Sequence, residues 1–164
     1  MAINFPASPD PNQTYTFEGR TWKWNGVGWQ IFNSSISPEV GSQSVSTTIA
    51  VNPQATVVAD VTLSPMVMIH KITSSVSAWT RLYNSTSAAT ADANRSLTTD
   101  PASSAGVIAE VLTTSATEAI TLNPVVSAIN QESPRTSVFP VRVTNNDAVA
   151  TSVTLTFDYV YLEI

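Results

Sequence analysis

The sequence predicts an all-β protein, a small N-terminal β-meander followed by an antiparallel, jelly-roll-like (Greek-key) β-sandwich. Three observations carry that expectation. From residue 47 onward, short runs rich in Val, Ile, Thr and aromatic residues alternate apolar and polar side chains, the period of a half-buried strand. Turn residues such as Asn52-Pro53, Ser64-Pro65 and Asn145-Asn146-Asp147 recur between the runs. Nearer the start, three aromatic runs are separated by glycine-containing turns.

Residues 1–13 hold Pro6, Pro9 and Pro11, which fix φ and remove donors, so an extended arm is expected. The runs TYTFE, TWKWN and WQIF between residues 14 and 32 then read as a three-stranded meander, with turns at Glu18-Gly19-Arg20 and Asn25-Gly26-Val27-Gly28. Alternation places Tyr15, Phe17, Trp22, Trp24, Trp29 and Ile31 on one face and Thr16, Lys23 and Gln30 on the other. A three-stranded sheet cannot cover such a face alone. With Phe5 of the arm, these six residues are the candidate partner-binding set. Residues 33–46, polar and of low complexity, read as a linker.

Residues 47–164 form the expected sandwich, with strands over 47–51, 55–63, 66–73, 78–84, 107–113, 117–123, 137–144 and 150–162. Val57, Ala59, Val61 and Leu63 line one face, as do Phe139, Val141 and Val143, and Val153, Leu155, Phe157, Tyr159 and Tyr161. Pro140, lying inside a run, is expected to mark an edge strand or a bulge. The Ala-rich segment 87–95 breaks the alternation and reads as a short helical turn in a long connection, followed by loop to residue 106. Trp79, Arg81 and Tyr83 share one strand face, where the guanidinium can lie between two rings; the trio reads as a cluster at the rim of the core, with a small interface hot spot as the alternative.

Composition narrows the function. Charged residues are 12% of the chain, against roughly 25% in an ordinary soluble domain. Ser and Thr make up about a quarter. A surface of Ser, Thr, Ala and Val costs little to desolvate and little entropy to immobilise, which favours packing against other protein, as a homo-oligomer or within a larger assembly. A net charge of -5, with Lys23 and Lys71 the only lysines, gives no basic footprint for nucleic acid or an anionic membrane. No apolar run is long enough to span a bilayer, and the polar start MAINFPASPD does not read as a signal peptide.

Chemistry finds little foothold. Without cysteine there is no thiolate metal site, disulfide or cysteine nucleophile. His70 is the single histidine, and no GxSxG elbow places a serine nucleophile. The carboxylates show no acid–base spacing and no DxDxDG calcium loop, and the five glycines make no phosphate-cradling loop. The reading is therefore non-enzymatic, with no cofactor, no metal and no catalytic residue. Trp22, Trp24 and Trp29 fit burial against a partner chain better than a sugar platform, because Tyr15, Phe17 and Ile31 continue the same stripe.

The stretch INFPASPDPNQTYTFEGRTWKWNGVGWQ (3–30) resembles the N-terminal module of tailed-phage virion proteins, especially of phages infecting cyanobacteria. The shared features are the I-N-F-P start, the Q-x-Y opening and the G-R-x-W-x-W-N-G-x-x-W close. Residues 81–96, 121–130 and 138–157 look like a sandwich module of phage structural proteins. The resemblance implies a virion component assembled in the bacterial host cytoplasm, commonly a homotrimer, that contacts other virion proteins. In such proteins the N-terminal module attaches to the particle and the C-terminal module projects, as a decoration or cement protein or a short fibre-like appendage. A receptor-binding module for host-surface glycan, gripping through residues 85–106, is the alternative.

Overall fold

The computed structural model describes residues 5–18, 20–32 and 41–162. The chain divides into two compact units at residues 39/40.

The N-terminal unit is an antiparallel sheet of β1 (Thr14–Phe17), β2 (Arg20–Trp24) and β3 (Trp29–Ile31), in that order. Tyr15 lies opposite Trp22, Trp22 opposite Ile31, and Trp24 opposite Trp29, so the expected aromatic face is real. The β2–β3 turn is built by Asn25, whose side-chain oxygen accepts from the N–H groups of Val27 and Gly28 at 2.9 and 2.8 Å. Gly26 takes φ +93°, which only glycine adopts without strain. In the first turn Glu18 itself has φ +48°, while Gly19 and the linker residues 33–40 lie outside the described residues.

The second unit is a two-sheet sandwich. One sheet runs β5 (Thr56–Thr62), β10 (Val138–Asn145), β7 (Ala78–Tyr83), β8 (Val107–Thr113). The other runs β4 (Gln43–Ala50), β11 (Ser152–Tyr161), β6 (Met66–Ser74), β9 (Glu118–Ile129). All pairings are antiparallel. Among the eight sandwich strands the first pairs with the last, the second with the seventh, the third with the sixth and the fourth with the fifth. A long hairpin rolled into two sheets gives that jelly-roll-like order. Inward side chains of both sheets, Val61, Val67, Ile69, Leu82, Phe139, Val141, Leu155 and Phe157 among them, are fully buried between them.

Two strand boundaries and one proline depart from expectation. β4 begins at Gln43, inside the stretch read as linker, because Val45 packs on the core and Ser46 bonds Thr156 across the ladder at 2.7 Å. β9 continues past Pro124 to Ile129; it is an edge strand, and its pairing to β6 breaks between Thr121 and Val126, where a missing N–H loses no ladder bond. Pro140 sits in neither an edge strand nor a bulge but in the interior strand β10. It is tolerated there because the ladder to β7 starts only at Val141, leaving Pro140 paired to Asp60 of β5 alone. The Ala-rich segment forms α1 (Thr86–Ala91), capped by the Ser85 side chain accepting from Ala88 N–H.

Candidate functional site

The predicted partner-binding residues are brought together in part. Phe5 lies on the aromatic face, stacked on Trp29 at 5.2 Å and 12° between planes, with edge contacts to Tyr15 and Trp22 at 5.5 Å each. Trp24 meets Trp29 at 5.7 Å. The arm is tied down by its backbone: Trp24 N–H donates to Gln13 O at 2.8 Å and Asn12 N–H to Trp24 O at 3.1 Å. Periodicity describes strands and says nothing about where an extended arm lies, so this self-covering by Phe5 was not visible in the sequence. Each ring pair adds about 0.5–1.5 kcal/mol beyond area burial.

Coverage is incomplete. Trp22 is buried, whereas Phe5, Tyr15, Phe17, Trp24 and Trp29 are half-buried and Ile31 is 60% exposed. Phe17 sits opposite Arg20 at the rim and borders a hollow of about 300 Å³ with Glu18, Arg20 and Trp22. Val27 at the β2–β3 turn is 89% exposed, and Phe32, beneath the Lys23 ammonium at 5.5 Å, is also open. A part-covered aromatic cluster with apolar residues at its margin has the composition of an interface hot spot.

In the sandwich, Trp79, Arg81 and Tyr83 face outward from β7 yet are buried. The Arg81 guanidinium carbon lies 3.6 Å from the Trp79 ring centroid. Asp92, just after α1, accepts from Tyr83 Oη at 2.6 Å, from Arg95 Nε at 2.7 Å and from Arg81 at 3.5 Å. Glu110 accepts from Trp79 Nε1 at 2.7 Å and from Arg95 at 2.8 Å. Arg142, opposite Arg81 in the ladder, donates to Ala89 O at 3.0 Å. Burial and the Asp92 hydrogen bond push the Tyr83 hydroxyl up to about 12. Burial opposes ionisation of Asp92, but the bonds from Arg95 and Tyr83 outweigh it and hold its carboxyl below the usual range. The Nε atoms of Arg81 and Arg142 are buried without a hydrogen-bond partner. The cluster clamps α1 to the sheet, and the expected rim cluster is in fact larger and deeper. Glu110 and Arg142 join it through register alone, which alternation cannot reveal.

His70 Nε2 lies 2.9 Å from Ser42 Oγ, the serine–histidine contact nearest to a catalytic device. The neighbouring carboxylate, Asp158, is held by Lys71 at 2.7 Å. Among the described residues no group of three or more His, Asp or Glu could hold a metal ion, and no helix is long and apolar enough to cross a membrane.

The outer face of the β4–β11–β6–β9 sheet carries hydroxyls in register. Thr48 and Thr154 meet at 2.9 Å beside the Ser46–Thr156 pair, and among the described residues Lys71–Asp158 is the ion pair of this face. The fold and these surfaces define an all-β protein of an aromatic meander plus a two-sheet sandwich. No protein-family model matches the chain, and no match was found among curated proteins.

Proposed function

We propose that this chain is a non-enzymatic virion structural protein of a tailed phage. It is a trimeric decoration or cement protein, or a short fibre-like appendage, attached by its N-terminal unit with the sandwich projecting. The observation that carries the reading is the aromatic cluster of Phe5, Tyr15, Trp22, Trp24 and Trp29, set in a unit of its own and left part-open with Ile31 exposed. Its sequence is the stretch that resembles the virion-attachment module. The hydroxyl-paved, charge-poor outer sheet face supports contact between copies, since hydroxyls are cheaper to desolvate than charges. Light scattering on the full chain tests the oligomer: three times 17.5 kDa is expected, and a stable monomer at micromolar concentration overturns the trimer.

A further inference from the structure

The connection from α1 to β8 ends in a cleft of about 520 Å³, formed where residues 101–107 approach the ends of β7 and β9. That volume falls within the ~300–1,000 Å³ of small-ligand sites. Backbone bonds fix its frame: Asn84 N–H donates to Gly106 O at 2.9 Å, and Gln131 N–H donates to Asn84 O at 2.8 Å. Gly106 is essential to the closure. Its φ is +67°, and a Cβ there would collide with Asn84 Oδ1 and the Ala88 side chain.

The lining is polar but uncharged. Ser103, Ser127 and Gln131 present side chains that make no hydrogen bond to protein among the described residues, and Asn84 engages only its Oδ1, accepting from Ser85 Oγ at 3.1 Å. Hydroxyls and carboxamides both donate and accept. Ile108 and Ile129, the latter 37% exposed, add apolar surface beside them. No ionisable side chain lines the cleft among the described residues.

The geometry points to a binding site for a neutral saccharide unit in this cleft. A sugar ring offers hydroxyls that donate and accept, matched by the amides and serines, and C–H faces matched by the isoleucines. A uronate or sialate would lose hydration of its carboxylate with no cation to replace it, so acidic sugars are disfavoured. The whole lining belongs to the 40–164 unit, so failure of this inference leaves the anchoring proposal standing, and the reverse also holds.

Saturation-transfer NMR and titration calorimetry on the full chain test it. The probes are neutral gluco-, galacto- and manno-oligosaccharides, with uronate-containing oligosaccharides of the same length alongside. Binding of at least one neutral probe is expected, weakened about tenfold or more by Gln131→Ala, an exposed side chain, with the melting temperature unchanged. Ser127→Trp, which fills the cleft from an exposed position on β9, is expected to abolish it. The inference is overturned if no neutral probe binds up to about 10 mM. Binding that both variants leave unchanged, or a preference for uronates, overturns it equally.

Discussion

Replacing Asp92 by Asn removes the one carboxylate that Tyr83, Arg81 and Arg95 share, while keeping its shape. The side chain is 5% exposed, and those of Arg81 and Arg95 are 2% and 6% exposed, so water cannot take its place. Arg95 retains Glu110 at 2.8 Å, but Arg81 keeps only the Trp79 ring, with the Arg142 guanidinium opposite it in the ladder. Breaking a buried pair by removing one partner costs about 3–5 kcal/mol. At ~2–4 °C per kcal/mol for a chain of this size, the melting temperature falls by roughly 6–20 °C. Urea unfolding followed by far-UV circular dichroism measures the loss. The pH dependence carries the sign. Asp92 has a depressed carboxyl pKa in the folded state, so its stabilisation is fully present above the unfolded value of about 3.9 and disappears as pH falls through the folded value. The gap between wild type and Asp92→Asn is therefore constant near neutrality and narrows in acid. A loss below about 1 kcal/mol, or a gap that widens on acidification, refutes the clamp.

Three further outcomes follow from the same geometry. Phe5→Ala uncovers Trp29 and Trp22, so tryptophan emission shifts to the red and iodide quenching increases; an unchanged spectrum means that the arm does not cover the cluster. Gly106→Ala strains a left-handed backbone and drives a Cβ into Asn84, so it destabilises the sandwich by about 1–3 kcal/mol in thermal unfolding, and a neutral result would contradict the packing of that turn. Asp158→Asn breaks an ion pair whose Lys71 is 40% exposed, so urea unfolding shows a change of no more than about 1 kcal/mol, and a larger loss would mean that this face is buried in an assembly.

The sandwich was largely legible because its core is written in alternation. Residues 107–113 match their strand end to end, and Val57, Ala59 and Val61 turn inward while Val58, Asp60 and Thr62 stay outside. Aromatic spacing likewise fixed the meander face through its register. The departures share one cause: proline and polarity read as local punctuation in a sequence, whereas strand position decides what they do. The strand expected over 117–123 continues through Pro124 to Ile129, because an edge strand with a broken ladder accommodates the proline. Pro140 reads as a marker of an edge strand or a bulge, yet a neighbour that begins one residue later leaves it free of conflict in an interior strand. The Ser-rich start of β4 reads as linker because a single inward valine, Val45, is too weak a signal. Phe5 belongs to the candidate set by its place in the arm, but its seat on Trp29 depends on a chain path that no periodicity encodes. The connection at 85–106 reads as a glycan-gripping loop, yet it supplies only part of the cleft lining: Ser127 comes from β9, and Gln131, just past its end, is set by its backbone bond to Asn84.

Attachment through the N-terminal unit is tested most directly by counting copies of the protein on assembled particles, with the full chain and with residues 1–32 deleted. The sandwich lies wholly beyond the deletion, with β4 starting at Gln43, so the truncated protein should remain folded by circular dichroism. Particles are expected to carry the full chain and to lack the truncated one. Equal occupancy by both would place the attachment elsewhere and contradict the role given to the aromatic cluster.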